Sequence, residues 1–364
     1  MTAAVTGGTG FLGLRLVHLL LERDEQVIAL GRRGQRPAAD RIAEFLLHSG
    51  IAEDERTRLL RGLRVVDIDL EQPRMGLSEK VFRKLADSVD IIWHCGGSTS
   101  FRDDQQVFRI NVGGAESVTA LATAGERRPL LCHTSTVSVV GSQQRGVILE
   151  QEVHAEPAEF NSVYERSKFE AERIVCDWSR NTERPAVIFR PSGLIARSPQ
   201  YPGCPMHPLQ TAARAGKSLF EVFQMVMGET GEPVPIPLVT TESKTNLIPV
   251  DHAAFAMLEI VRRRPPEALS FYHIVNHVDV ALTTITDAFS EYFGIPLYLA
   301  EQGMEVFSEQ ERTMMQDFGL FDDFGAYVNW ATISRDYDVT GLTELDLLCP
   351  DLLVDKDFIL ASLD

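Results

Sequence analysis

The sequence predicts an α/β protein built on a Rossmann-type, doubly wound parallel sheet, with a smaller, mostly α substrate-binding lobe. Three observations carry this expectation. Short β-like runs alternate with amphipathic stretches up to residue 190, a glycine-rich turn joins the first run to the first stretch, and the texture changes after Pro191.

The β-like runs are Ala3–Thr6, Gln26–Leu30, Arg64–Ile68, Asp90–Trp93, Leu130–Thr134 and Ala186–Phe189. Between them, Phe11–Glu22, Ser78–Ala86, Gln105–Ala124 and Tyr164–Ser179 carry apolar residues at helical spacing, as in Leu12, Leu16, Leu19 and Leu20. This is a βαβ series, assigned to a cofactor-binding domain over 1–190. Beyond Pro191, the punctuated stretches Ser198–Pro205 and Pro233–Pro237 surround an expected helix at Leu209–Met227, which reads as a loop-rich lobe. Leu247–Arg263 offers a short strand leading into a helix, and Phe271–Val275 another β-like run. Both are expected to return to the main sheet, so 247–275 is assigned to the first domain, and 191–246 with 276–364 to the substrate lobe.

Composition excludes several classes. At 44% hydrophobic and 24% charged, the 364 residues are those of an ordinary globular chain. A formal net charge of −17 repels phosphate backbones, so nucleic acid is not an expected partner. The five cysteines (Cys95, Cys132, Cys176, Cys204, Cys349) show no paired spacing, and the nine histidines show no metal-binding motif, so neither a disulfide frame nor a metal site is expected. With no leader-like N-terminus and no run of about 20 apolar residues, the expected location is cytoplasmic, with no membrane span.

The chemistry begins at Thr6-Gly7-Gly8-Thr9-Gly10-Phe11-Leu12-Gly13, which follows the first run and opens the first helix. Gly7 permits a tight turn, Gly10 lets backbone approach a pyrophosphate at a helix N-terminus, and Gly13 allows close packing of helix on strand. Enzymes that select NAD place an acid at the end of the second strand; here Gly31-Arg32-Arg33 stands there. Guanidinium groups bind a 2′-phosphate where a carboxylate would repel it, so NADP(H) is the expected cofactor. Further along, Tyr164 and Lys168 lie four residues apart, on one helix face. A phenol titrates near pH ~10, and a neighbouring ammonium is expected to lower that value and make proton transfer feasible. The hydroxyl-rich Thr134-Ser135-Thr136 and the helix residue Asn111 complete the candidate set.

With these residues in view, the sequence resembles the extended short-chain dehydrogenase/reductase superfamily, through its T-G-x-x-G-F-L-G turn, the hydroxyl after the fifth strand, and Y-x-x-x-K. The resemblance implies that Tyr164 is the acid/base and that Lys168 lowers its pKa and binds ribose. It implies that Thr136 orients the substrate carbonyl and that Asn111 is the superfamily's helix asparagine. It assigns Thr6, Gly7, Gly10, Phe11, Leu12, Gly13, Arg32, Arg33, Asp69, Leu70, Tyr164, Lys168 and Pro191 to cofactor binding, Asp69-Leu70 being the pair at the adenine. Within the superfamily the sequence is most similar to the thioester reductase and fatty acyl-CoA reductase branch, which includes carboxylic acid reductase terminal domains. The likeness rests on Leu30–Arg33, the long insert Gly34–Gly62 with Arg41-Ile42, Met75–Ser78, Ser135–Val139 and Ile248–Asp251, and covers Thr2–Arg263.

Two segments depart from that pattern. His94-Cys95-Gly96-Gly97 stands where an alanine pair is usual, and Arg190-Pro191-Ser192-Gly193 where Arg-Pro-Gly is usual. The implied activity is NADPH-dependent hydride transfer to an acyl thioester, giving aldehyde or alcohol. No adenylation or carrier domain is expected before Met1, so the thioester is expected as a CoA ester or on a separate carrier protein. The competing readings are a ketone or hydroxy-ketone reductase, a nucleotide-sugar epimerase or dehydratase, and a non-catalytic NADPH-sensing protein. Leu219, Phe220, Phe223, Met225 and Met227 are expected to shield the substrate, and the stripe Phe318, Phe321, Phe324, Tyr327, Trp330 to fill the core of the lobe, the alternative being that it lines an acyl-binding channel.

Overall fold

The computed structural model describes residues 1–32, 34, 36–100, 104–141, 146–214, 216–217, 234–237, 243–300, 309, 335–349 and 351–363. Among these, seven strands form one sheet: β1 (Thr2–Thr6), β2 (Gln26–Arg32), β3 (Leu63–Ile68), β4 (Ile91–His94), β5 (Leu130–Thr134), β6 (Ala186–Pro191) and β7 (Leu269–Ile274). Their spatial order is β7-β6-β5-β4-β1-β2-β3, every neighbouring pair is parallel, and the order reverses between β1 and β4. Open sheets of this kind bind ligands at the carboxyl ends of the strands beside that reversal.

Successive strand residues point to opposite faces, and helices cover both. On one face Val5, Ala29, Trp93 and Phe189 pack with Leu16 and Leu20 of α1 (Phe11–Glu22), Phe45 of α2 (Ala38–His48) and Met257 of α7 (Val250–Arg263). On the other, Ala4, Ile28, Ile92, Leu131 and Ile188 meet Phe82 of α4 (Glu79–Ala86), Leu121 of α5 (Asp104–Ala124) and Val175 of α6 (Val163–Thr182). Each buried leucine stabilises by about 1.5–3 kcal/mol, so Leu14, Leu16 and Leu20 pin α1, and with it the glycine turn, to the sheet.

The insert between β2 and β3 folds as two helices, α2 and α3 (Glu53–Arg61). The sequence predicts that Phe271–Val275 rejoins the sheet, and β7 does so beside β6. The run at Leu247 does not. Leu247–Pro249 instead pairs with Gly193–Ile195 in a separate ribbon, because the chain leaves the sheet at Ser192, where Gly193 N–H donates to the Asn246 carbonyl. Ile195, Leu247, Val280, Ala288, Phe358 and Ile359 form a further apolar cluster, built with the helices Leu282–Phe293 and Lys356–Leu363. The expected helix Leu209–Met227 is described only at its start. Arg33, Leu219 to Met227 and the aromatic stripe Phe318–Trp330 lie outside the described residues. Among the described residues, no helix is long and apolar enough to cross a membrane.

Candidate active site

The glycine turn sits where the strand order reverses. Gly7 adopts φ +67°, a conformation that glycine alone takes freely, and a Cβ on Gly13 would stand 2.0 Å from the Gly7 carbonyl oxygen. Gly10 caps α1 without a side-chain hydrogen bond, so the first-turn N–H groups, including those of Phe11 and Leu12, remain available to an anion. A Cβ on Gly10 would meet only the Gly7 carbonyl oxygen within 4 Å, which leaves the backbone open to close approach. These are the features a pyrophosphate requires. Thr6, grouped with the cofactor residues on sequence, has its hydroxyl turned inward: fully buried, it lies 2.7 Å from His94 Nδ1 and accepts from Gly96 N–H at 3.1 Å.

At the end of β2, Arg32 is exposed, and a Cβ on Gly31 would stand 2.7 Å from the Ala38 Cβ. The start of α2 therefore fills the space that a side chain at position 31 would take. The same helix brings in Arg41, whose guanidinium donates to the Thr9 carbonyl at 2.9 Å, inside the glycine turn. In the sequence Arg41 stands out only as part of the insert, and its spacing gives no sign that it reaches the turn. Asp69 is exposed beyond β3 and accepts from Glu71 N–H at 3.0 Å, while Leu70 packs against the core. Pro191 is buried at the end of β6, opposite Ile274.

The hydroxyls after β5 divide cleanly. Ser135 Oγ donates to Glu172 Oε2 at 2.6 Å, and Glu172 is itself held by Arg190 at 2.5 and 3.1 Å in a buried ion pair. Thr136, one residue on and so on the opposite side of the chain, shares a hydrogen bond with the Tyr164 phenol. The hydroxyl of Thr136 also accepts from Ser138 N–H at 3.3 Å, capping the short turn Val137–Val140. Tyr164 reaches this position from the first turn of α6, which Ser162 caps by accepting from Glu165 N–H.

Lys168, one turn further along α6, donates from Nζ to the Thr134 carbonyl at 2.5 Å. Burial brings its ammonium down to about 8 against the pull of Glu172 and Cys95, and burial beside Lys168 holds His94 neutral, at about 3. The Tyr164/Lys168 spacing predicts a lowered phenol. The structure corrects this: desolvation pushes Tyr164 up to about 12, the hydrogen bond to Thr136 opposes the rise without cancelling it, and the Lys168 ammonium is committed to Thr134. A phenol so placed is protonated at neutral pH, the form a proton donor requires.

Asn111 is directed to a different pair of elements. Its Nδ2 donates to the Ser98 carbonyl at 3.0 Å and to Ser167 Oγ at 2.8 Å, and its Oδ1 accepts from Ser98 N–H at 2.7 Å. It ties the loop after β4 to α6, which is a positioning role. A Cβ on Gly97 would stand 2.9 Å from that same Oδ1, which accounts for glycine in place of alanine. Ser192, the other departure, donates to Asn246 Oδ1 at 2.7 Å and so belongs to the junction with the lobe. A separate cleft of about 470 Å³, lined by Phe108, Phe160, Val163 and Arg166 among others, includes none of Thr136, Tyr164 and Lys168.

A dinucleotide turn at the reversal of a parallel sheet, together with Thr136 just beyond β5 and Tyr164 and Lys168 on α6, defines an NAD(P)-binding oxidoreductase of the extended short-chain dehydrogenase/reductase type. The sequence profile of the family described as Male sterility protein matches residues 5–257, and the chain belongs to that family. It is 26% identical over 377 residues to isonitrile lipopeptide synthase of Streptomyces coeruleorubidus, covering 99% of this chain and 24% of that protein. It is 30% identical over 196 residues to a linear gramicidin synthase of Brevibacillus parabrevis, covering 52% of this chain and 4% of that one. The chain thus spans a quarter or less of the length of these curated relatives. Among solved structures, the terminal R domain of the myxalamid PKS-NRPS biosynthetic pathway superposes with a TM-score of 0.77 at 25% identity, covering 100% of this chain and 89% of that one.

Proposed function

We propose that the protein is an NADPH-dependent reductase of acyl thioesters presented on a carrier protein or on CoA. The observation that carries this reading is the pairing of Thr136 with a protonated Tyr164 just beyond the carboxyl end of β5, in the sheet whose β1 leads into the glycine turn. NADPH, when bound, supplies hydride to the carbonyl carbon. Tyr164 gives its proton to the carbonyl oxygen as the hydride arrives, and Thr136 polarises that oxygen and holds the phenol in line. Lys168 donates to the Thr134 carbonyl, and its remaining N–H groups serve a ribose hydroxyl when the cofactor binds. The resulting hemithioacetal loses thiol to give an aldehyde, and a second round of the same chemistry gives the alcohol.

Arg32 and Arg41 supply the charge for a 2′-phosphate, and the closed space at Gly31 disfavours the acid that NAD-holding epimerases carry. The thioester acceptor is supported by likeness to isonitrile lipopeptide synthase and to a PKS-NRPS terminal R domain. The test is NADPH oxidation with acyl-CoA of increasing chain length, set against ketones, with product identification. Aldehyde from the acyl-CoA series, and a cost of about 10²–10⁴ in turnover for Tyr164→Phe, is the expected result. Reduction of ketones alone would overturn the acceptor class and leave the cofactor reading intact.

A further inference from the structure

The segment Arg335–Tyr337 runs parallel to Gly146–Ile148, far from it in sequence, with Arg335 opposite Gly146. Arg335 is only 5% exposed. Its guanidinium donates to the carbonyl of Gly141, the residue at φ +71° that closes the turn begun by Thr136. The same guanidinium hydrogen-bonds Tyr337, and its charge opposes the burial that raises the carboxyl of Glu165, the neighbour of Tyr164. Glu165 is otherwise held by Asn161, whose N–H donates at 2.8 Å. Packing repeats the arrangement, since Val139 and Val140 of the turn, Phe169 of α6 and Ile148 form one apolar cluster with Tyr337 against it.

We infer that Arg335 is a positioning residue for the Thr136–Tyr164 pair, clamping the turn that carries the hydroxyl against the helix that carries the phenol. This rests on the proposed proton-donor role of Tyr164, and it gives the segment Arg335–Tyr337, remote from the glycine turn in sequence, a part in the reaction. Two groups on different elements must stay within hydrogen-bond reach for the proton to move as hydride arrives, and misplacement of about 1 Å costs as much as 10² in rate. A single buried guanidinium bonded to the turn, with Tyr337 of the same segment packed on the cluster that joins the turn to Phe169 of α6, restricts that motion, and a lysine retains the charge and one donor.

The experiment compares Arg335→Met, Arg335→Lys and Tyr337→Phe by hydrogen exchange in the 135–141 segment, by turnover, and by NADPH affinity. In Arg335→Met the turn should exchange faster and kcat should fall about 10- to 10²-fold, with KM and NADPH affinity unchanged. Arg335→Lys should recover most of the loss. In a Tyr164→Phe background the same substitution should cost little more, because groups acting as a unit are not additive. Should Arg335→Met fail to fold, Tyr337→Phe removes one anchor of the guanidinium while keeping the ring, and predicts a smaller change of the same sign. Turnover is followed with an acyl-CoA and with a free aldehyde, and exchange needs no substrate. Failure with acyl-CoA alone overturns the thioester reading, whereas wild-type exchange in the turn, or an undiminished kcat loss in the Tyr164→Phe background, overturns the clamp.

Discussion

Ser135 and Thr136 are adjacent hydroxyls that a sequence cannot separate, and their substitutions should fail in different ways. Ser135→Ala deletes the donor 2.6 Å from Glu172 Oε2, yet the carboxylate keeps both contacts from Arg190. The expected loss is that of one hydrogen bond to a charged group, about 1.5–3 kcal/mol of stability, with turnover close to that of the wild type. Thr136→Val deletes the hydroxyl shared with Tyr164 and the cap on Ser138 N–H. The cap bond is long, at 3.3 Å, so its loss should cost no more than about 1 kcal/mol of stability. The catalytic loss is larger, because an oxyanion-type donor is worth about 10²–10³ in kcat, or about 2.7–4 kcal/mol of transition-state stabilisation. Denaturant titration reads the first quantity and NADPH oxidation at saturating substrate the second. A Ser135→Ala protein that is stable but inactive, beside an active Thr136→Val, would refute the division of labour.

Other consequences concern the cofactor. Arg41→Ala should weaken NADPH about ten- to a hundredfold while sparing NADH, as expected for one charge-assisted contact of about 1.5–3 kcal/mol, and equal losses in calorimetry would remove Arg41 from the phosphate site. Gly31→Asp should not convert the protein to NADH: its Cβ would stand 2.7 Å from that of Ala38, so the expected outcome is overpacking at about 1–3 kcal/mol, seen as a lowered denaturation midpoint. For pH, the free protein holds Lys168 at about 8, and a bound dinucleotide favours the charged ammonium. Binding should then take up a proton above that value, so NADPH affinity should be constant below pH 8 and weaken as pH rises through it. Lys168→Met should flatten the profile, and an affinity that strengthens with pH would contradict the assignment.

Much of this is legible in the sequence because it is local. Alternation of apolar runs locates β1 to β6 within a residue or two at most ends, and the glycine turn is fixed by the adjacency of strand, Gly7, Gly10, Gly13 and helix. What is not legible depends on contacts between distant segments. The direction in which Ser135 and Thr136 point is set by which of Glu172 and Tyr164 each meets, and both lie on α6. The raised Tyr164 is a matter of desolvation, which spacing does not report: residues four apart share a helix face, yet Nζ of Lys168 finds the Thr134 carbonyl first. Likewise Leu247–Pro249 has the composition of a sheet strand and is diverted by hydrogen bonds from Ser192 and Gly193 to Asn246.

The two departures from the reductase pattern have local causes in this chain, and this bears on what the site accepts. Gly97 is small because Asn111 Oδ1 occupies the space a methyl would need, and Asn111 is in turn committed to Ser98 and Ser167. Ser192 is polar because its hydroxyl satisfies Asn246 Oδ1, which also accepts from Asn276 N–H at 2.9 Å, while Asn246 Nδ2 donates to the Asn276 carbonyl at 2.9 Å and to Asp279 at 2.8 Å. Gly97 thus avoids a clash with a buried amide oxygen, and Ser192 adds a second donor to an amide oxygen that Asn276 N–H already engages. Neither adds a charge or a nucleophile beside Tyr164. On the proposed mechanism, in which Thr136, Tyr164 and Lys168 act at the carbonyl, selectivity between a thioester and a ketone is expected to come from the residues that cover the strand ends.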